Sequence, residues 1–188
     1  MDYAPIYPIA TMRLHLRPFT RGDIDAMYAY RQREDVTRFL SDPPLSREAC
    51  AEALQARIGQ IAWGGEGDKI FLAVERRVDR AMIGEVSLIL RDAYSRQGEI
   101  GYILHPDYHG MGYATEAAAA LLAMGFEGAG LHRIHARCHA RNDASRRVME
   151  RLGMRREAHF REHRFSKGAW EEELVYAMLE DEWRDRRR

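Results

Sequence analysis

The stretch from Glu99 to Phe126 constrains the fold of this chain more than any other. An extended segment, Glu99 to Leu104, is stopped by His105-Pro106. A Gly-rich loop, His109-Gly110-Met111-Gly112, then leads into Ala114, Ala118, Leu121, Leu122 and Phe126, whose spacing is helical and one-sided. A strand handing over to an amphipathic helix calls for a sheet with helices packed on it. Glycines at 110 and 112 let the backbone turn sharply and expose N–H groups where a helix begins. Unpaired donors and the positive dipole end converge there, as phosphate or pyrophosphate binding requires. The same turn also serves as a plain connection, so spacing alone leaves both readings open.

The remaining elements agree with a mixed sheet. Arg13-Leu14-His15-Leu16-Arg17 alternates polar and apolar residues, a first strand closed by Pro18. Thr20 to Asp23 caps a helix through Met27, Tyr28 and Tyr30, and Ser46 opens a second one after Pro43-Pro44, running to about Ile61. Strands are expected at Ile70 to Glu75 and Met82 to Leu90, around the charged turn Arg76 to Arg80. In Arg133 to His139, Ile134, Ala136 and Cys138 share one face. Asn142 or Asp143 caps a short helix with Val148, Met149 and Leu152 on its apolar side, closed by Gly153. Met154 to Phe165 and Trp170 to Leu179 flank the turn Ser166-Lys167-Gly168. The order is βααββ, then βαβα, then ββ, in one domain of 188 residues.

A chain of this size buries roughly 70% of its unfolded surface. With 46% hydrophobic residues it builds a core without staples, and Cys50 and Cys138 form no metal or redox motif. Lys plus Arg and Asp plus Glu are equal at 29 each, so net charge favours no polyanion and no nucleic acid partner is expected. Arginines cluster locally, at 146, 147, 151, 155 and 156 and from Arg184 to Arg188, as a solvated surface interleaved with acids. No signal peptide is recognisable, and the longest apolar-rich stretch, around Ala117 to Phe126, is too short for a bilayer. The expectation is a cytoplasmic protein without membrane partners, monomeric or homodimeric.

Two standard nucleotide loops fit poorly. Gly112 is followed by Tyr113-Ala114, not by the Lys-Ser/Thr pair of a P-loop. The loop also lacks the third glycine and the downstream acid of a dinucleotide fingerprint. His109-Gly110-Met111-Gly112-Tyr113-Ala114 instead resembles the Gln/Arg-x-x-Gly-x-Gly/Ala motif of the GNAT acetyltransferases, with Glu-Ile-Gly-Tyr before it and Thr-Glu-Ala after it. Asn142-Asp143-Ala144-Ser145 and Glu150-Arg151-Leu152-Gly153-Met154 resemble that family's Asn-x-x-Ser helix and its Leu-Gly-Phe end. Arg13 to Pro18, with Val36 to Leu40, resembles the RimJ/RimL-like branch. The resemblance covers residues from about 12 to 180 of a single acetyltransferase domain spanning 1–188.

The resemblance implies a GNAT-like α/β fold with a mixed, mostly antiparallel twisted sheet of six to seven strands and about four helices. It implies acetyl-coenzyme A as co-substrate, no metal, and an amine acceptor, either a small molecule or a peptide N-terminus. Ile103, Leu104 and His105 should follow the pantetheine arm, and His109, Gly110, Met111, Gly112, Tyr113, Ala114 and Thr115 the pyrophosphate. Asn142 should reach the pantetheine or the lower arm of the cofactor, and Ser145 should stand beside the cofactor sulfur. His109 stands where Gln or Arg is usual; the loop acts chiefly through backbone amides, so little loss is expected.

Acetyl transfer needs a base for the ammonium, donors for the developing oxyanion, and a hydrogen bond for the leaving thiolate. Glu99 is the first candidate for the base, with Glu85 and Glu162 as alternatives. The Leu104 amide is the candidate oxyanion donor. Met149 occupies the place where many relatives carry the acidic tyrosine, so Ser145 is the candidate for the thiolate. That replacement also keeps open a non-catalytic acyl-coenzyme A-binding module. His132, His135 and His139 with Cys138 have zinc-ligand chemistry, but on a strand His135 and His139 stand about 13 Å apart and chelate no single ion. Trp63, Tyr94, Phe160 and Trp170 are either core or acceptor-pocket aromatics.

Overall fold

Leu14 and Leu16 alternate with His15 and Arg17 and are fully buried, which draws the segment into a strand at one side of a large sheet. In the computed structural model, which describes residues 2–186, the strands are β1 (Ile9–Ala10), β2 (Leu14–Arg17), β3 (Lys69–Arg76), β4 (Met82–Asp92), β5 (Gln97–Leu104), β6 (Arg133–His139), β7 (Arg155–Ser166) and β8 (Ala169–Leu179). The helices are α1 (Ile24–Arg31), α2 (Glu34–Thr37), α3 (Arg47–Ile58), α4 (Tyr113–Ala123), α5 (Asp143–Arg151) and α6 (Glu180–Asp185). Met1, Arg187 and Arg188 lie outside the described residues.

All eight strands form one sheet in the order β1-β2-β3-β4-β5-β6-β8-β7. Every pairing is antiparallel except β5 with β6. The strand and helix counts therefore exceed the expectation of six to seven and about four. β1 has two residues and α2 one turn, too short for periodicity to register. In α6, Glu180-Asp181-Glu182 favour a helix N-terminus through the dipole and no apolar stripe advertises the helix.

The sheet divides the core in two. On one face α4 and α5 bury Ala117, Ala118, Leu121, Leu122, Val148 and Met149 against Leu88, Ile100, Leu104 and Ile134. On the other, α1 and α3 bury Met27, Tyr30, Cys50 and Leu54 against Phe19 and Ala73, with Ile103 packed alongside. Side chains alternate along each strand, so Tyr102 and Leu104 belong to the α4–α5 face. Glu99, Ile103, Arg137, His139 and Glu173 belong to the α1–α3 face. Among the described residues no helix is long and apolar enough to cross a membrane.

Candidate active site

β5 and β6 pair only through Gln97–Arg133, Gly98–Ile134 and Glu99–His135. Beyond that the two strands part. β5 stays paired with β4 as far as Leu104, and β6 with β8 as far as His139, so a wedge-shaped gap opens inside the sheet. The His105 N–H reaches the Ile83 carbonyl at 2.8 Å while Gly84 faces Leu104. By the alternation of an antiparallel ladder, Leu104, Tyr102 and Ile100 turn their N–H and C=O groups away from β4, toward the gap. Gly84 makes the close strand approach possible: a Cβ there would lie 2.2 Å from the Ile103 carbonyl oxygen.

Of the three residues expected along the pantetheine, only Leu104 therefore directs backbone groups into the gap. Ile103 pairs with Glu85 and packs on the α1–α3 face, and the His105 amide is taken by Ile83. The Leu104 carbonyl accepts from His109 Nε2 at 2.9 Å, which requires the proton on that nitrogen. His109 thus ties the Gly-rich loop to the end of β5.

Gly110 and Gly112 have φ of +75° and +80°, left-handed values that spare the loop the strain of a Cβ. Gly112 is the N-cap of α4, and the first helical bond runs from Glu116 N–H to the Gly112 carbonyl at 3.0 Å. The amides of Tyr113, Ala114 and Thr115 precede it without an intrahelical acceptor. Thr115 Oγ1 is buried and has no hydrogen-bond partner. Free amides, a helix N-terminus and an orphaned hydroxyl fit the pyrophosphate of an acyl-coenzyme A. The loop is braced from the N-terminal arm: Glu116 accepts from Thr11 Oγ1 and Arg13 Nε, both at 2.6 Å, and Arg13 Nη1 donates to the Met111 carbonyl at 2.9 Å.

Asn142 caps α5, its Oδ1 accepting the Ser145 N–H at 3.1 Å. This places Ser145 in the first turn, with Oγ 2.9 Å from the Tyr102 hydroxyl. Tyr102 was not among the residues singled out in the sequence; the Glu-Ile-Gly-Tyr strand and the Asn-x-x-Ser helix carry it and Ser145 separately, 43 residues apart. Burial raises the Tyr102 phenol above its ordinary value, with the Ser145 hydrogen bond acting in the other direction. Burial also pushes the Cys138 thiol up to about 11, against a hydrogen bond with Ser145, so the group is a neutral thiol at physiological pH. Met149 is fully buried in the core.

Glu99 lies on the α1–α3 face at the closed end of the gap. It accepts from Arg91 Nε at 2.7 Å and from Arg137 Nε and Nη2 at 3.1 and 3.2 Å, with His135 Nε2 at 3.3 Å. Burial alone would raise this carboxyl, but the His135 hydrogen bond and the Arg137 and Arg91 guanidiniums outweigh it and hold the pKa at about 2. A folded-state pKa depressed from 4.5 corresponds to about 3 kcal/mol of stability, present above pH 4.5 and lost as pH falls toward 2. Glu99→Gln should remove this part of the acid sensitivity. Urea unfolding between pH 6 and pH 2 should fall less steeply for the variant, and parallel slopes would refute the assignment.

The other sequence candidates for the base lie elsewhere. Glu85 is buried under α1 and α3, accepting from Tyr30 Oη at 3.1 Å and Arg57 Nη2 at 3.2 Å. Glu162 occupies a bulge of β7 with φ of +48°, exposed. At the wide end of the gap stands Glu173, opposite His139. Its Oε1 is 3.7 Å from Arg137 Nη1 and 4.0 Å from His163 Nε2, ion pairs too long to be hydrogen bonds. His139 itself accepts the Arg141 N–H on Nδ1 at 3.0 Å and packs against Phe39, ring centroids 5.1 Å apart. Trp63 is core, whereas Tyr94, Phe160 and Trp170 are exposed.

Comparison with known proteins agrees with this geometry. Residues 13–155 match the family model described as an acetyltransferase (GNAT) domain. The uncharacterized N-acetyltransferase YnaD of Bacillus subtilis is 34% identical over 93% of this chain and 98% of its own. The crystal structure of a GNAT acetyltransferase from Bacillus anthracis superimposes with a TM-score of 0.84 at 30% identity, over 92% of this chain and 98% of the other. The ribosomal α-N-protein acetyltransferase RimL, solved in complex with coenzyme A, shares the fold at a TM-score of 0.78 and 18% identity, over 93% and 98% of the two chains. With the motif loop, the parted strands and a family match over most of its length, the chain belongs to the GNAT acetyltransferases and is an acetyl-coenzyme A-dependent acyltransferase.

Proposed function

We propose that the protein acetylates a primary amine that enters the gap from the α1–α3 face, while the acetyl donor lies along β5 on the α4–α5 face. The observation that carries this reading is the parting of β5 from β6, which leaves the Leu104 backbone turned into the gap between the two strands. His109 to Thr115 hold the pyrophosphate, and Asn142 keeps α5 aligned beside the lower arm. The Leu104 N–H donates to the carbonyl oxygen as charge develops there. Ser145 donates a hydrogen bond to the departing sulfur.

Glu173, not Glu99, receives the ammonium proton in this reading, through a water. Glu99 is saturated by three partners and binds protons too weakly, whereas the Glu173 oxygens keep acceptor sites free at the open end of the gap. Glu99 then orients Arg137, which lies between the two carboxylates.

The mouth of the gap carries mixed charge: Arg141, Arg164 and Arg38 surround His139 together with Glu171, and Glu173 stands opposite it. The acceptor is a peptide α-amine or a small amine. A screen of peptides, monoamines and polyamines by release of free thiol tests the assignment. Acetyl-coenzyme A binding without acetylation of any amine would overturn the proposed transfer.

A further inference from the structure

Tyr102 and Ser145 offer two arrangements of the same hydrogen bonds. The Tyr102 Oη lies 2.9 Å from Ser145 Oγ and 3.1 Å from the Ser145 carbonyl oxygen. The phenol has one proton to give. If it goes to the Ser145 carbonyl, Ser145 Oγ must donate to the phenol oxygen to complete the 2.9 Å contact, and its own proton is spent. If it goes to Ser145 Oγ, the serine proton is free to turn either to the neighbouring Cys138 thiol or into the gap. Only the second arrangement allows Ser145 to donate to a sulfur.

We infer that Tyr102 is a positioning residue for the acyl transfer: by donating to Ser145 Oγ it aims the serine hydroxyl at the leaving sulfur. This rests on the proposed role of Ser145 and adds a second residue to it. Three features of the pair suit the task. Tyr102 is anchored on β5, where its backbone borders the gap and its ring is packed in the core cluster of the α4–α5 face. Ser145 is fixed independently, through the Asn142 cap. The phenol is held in its protonated form by burial, so it serves as a donor throughout the working pH range. As the new C–N bond forms and the C–S bond breaks, the proton shed by the nitrogen passes through water to the departing sulfur, which leaves with the electron pair; Ser145 stabilises that sulfur while it carries charge, and neither hydroxyl surrenders its own proton. Tyr102 therefore acts without changing its charge.

The test is Tyr102→Phe, which keeps the ring and removes only the hydroxyl. Turnover should fall about 10-fold, the loss of one aligned hydrogen bond, with KM for acetyl-coenzyme A within about twofold of wild type. Acyl donors whose leaving thiol has a lower pKa should restore much of the rate, since a better leaving group needs less help; a packing defect would not respond in this way. The double variant Tyr102→Phe/Ser145→Ala should be no slower than Ser145→Ala alone. In the ligand-free protein, NMR should show a slowly exchanging Tyr102 hydroxyl proton and none for Ser145; a slowly exchanging Ser145 hydroxyl proton would mean that it is spent on the phenol and would overturn the inference. Normal turnover of Tyr102→Phe beside an impaired Ser145→Ala would sink this inference and leave the serine assignment standing. Normal turnover of Ser145→Ala would remove both. Additive losses in the double variant would mean that Tyr102 acts on its own and would also overturn the positioning role.

Discussion

Gly112→Asp should abolish the thermal stabilisation that acetyl-coenzyme A gives the wild-type protein. A ligand that binds only the folded state at 100 times its dissociation constant adds about 2.7 kcal/mol, or roughly 5–10 °C for a chain of this size. Two effects oppose that gain in the variant. The carboxylate would stand at the N-cap of α4, where the free amides and the dipole attract negative charge, and would compete with the pyrophosphate for them. The left-handed backbone at φ +80° also costs a side-chain-bearing residue about 1 kcal/mol, although aspartate tolerates it better than most. A loss of affinity of about 100-fold or more would leave a shift of about 1 °C. Aspartate is also a favourable N-cap residue, so the ligand-free variant should fold, which circular dichroism would check. Gly112→Ala, which adds the strain without the charge, should keep part of the shift. A folded Gly112→Asp protein with an undiminished shift in differential scanning fluorimetry would remove the loop from the cofactor site.

Glu173→Gln should lower turnover by about 10²- to 10⁴-fold at neutral pH and recover part of it at alkaline pH. The glutamine keeps the size of the side chain and the ability to hold water but accepts no proton. The acceptor amine is then productive only in the fraction already deprotonated, which rises as pH rises. Glu99→Gln, in contrast, should give a loss that is constant across the pH range, because its effect passes through the orientation of Arg137. The two profiles separate the carboxylates cleanly. If Glu99→Gln shows the pH-dependent loss and Glu173→Gln does not, proton removal belongs to the closed end of the gap and the assignment must be reversed.

The loop, its helix and the Asn142 cap were legible because each depends on residues close in sequence. Gly110 and Gly112 act on their own backbone, Asn142 reaches three residues ahead, and the α4 stripe is a local period. What stayed hidden was set by strand neighbours. Arg137 reaches Glu99 across 38 residues, so a plausible base turned out to be the centre of an ion-pair cluster. Glu173 became prominent only once β8 had placed it opposite His139. The Tyr102–Ser145 contact needs β5 and α5 on the same face of the sheet, and the alternation that decides it depends on the register against β4. Sequence periodicity identifies faces, but which faces meet is a tertiary outcome.

Three parallel residue pairs are all that join β5 to β6, and they have a mechanical consequence. The sheet behaves as two antiparallel blocks, β1 to β5 and β6 to β7, sharing a short seam. Each block has its own ladder, and across the seam the two share only those pairs and the packing of Leu88, Ile100 and Ile134 in one core, so the seam is where the backbone pairing is thinnest. A molecule spanning the gap and bonding to both banks would act as a clasp, transmitting the cohesion of one block to the other. Substrate occupancy would then be felt as cooperativity: amides of β6, β8 and β7 should exchange with solvent on a schedule separate from those of β2 to β5 when the gap is empty, and in step with them when it is filled.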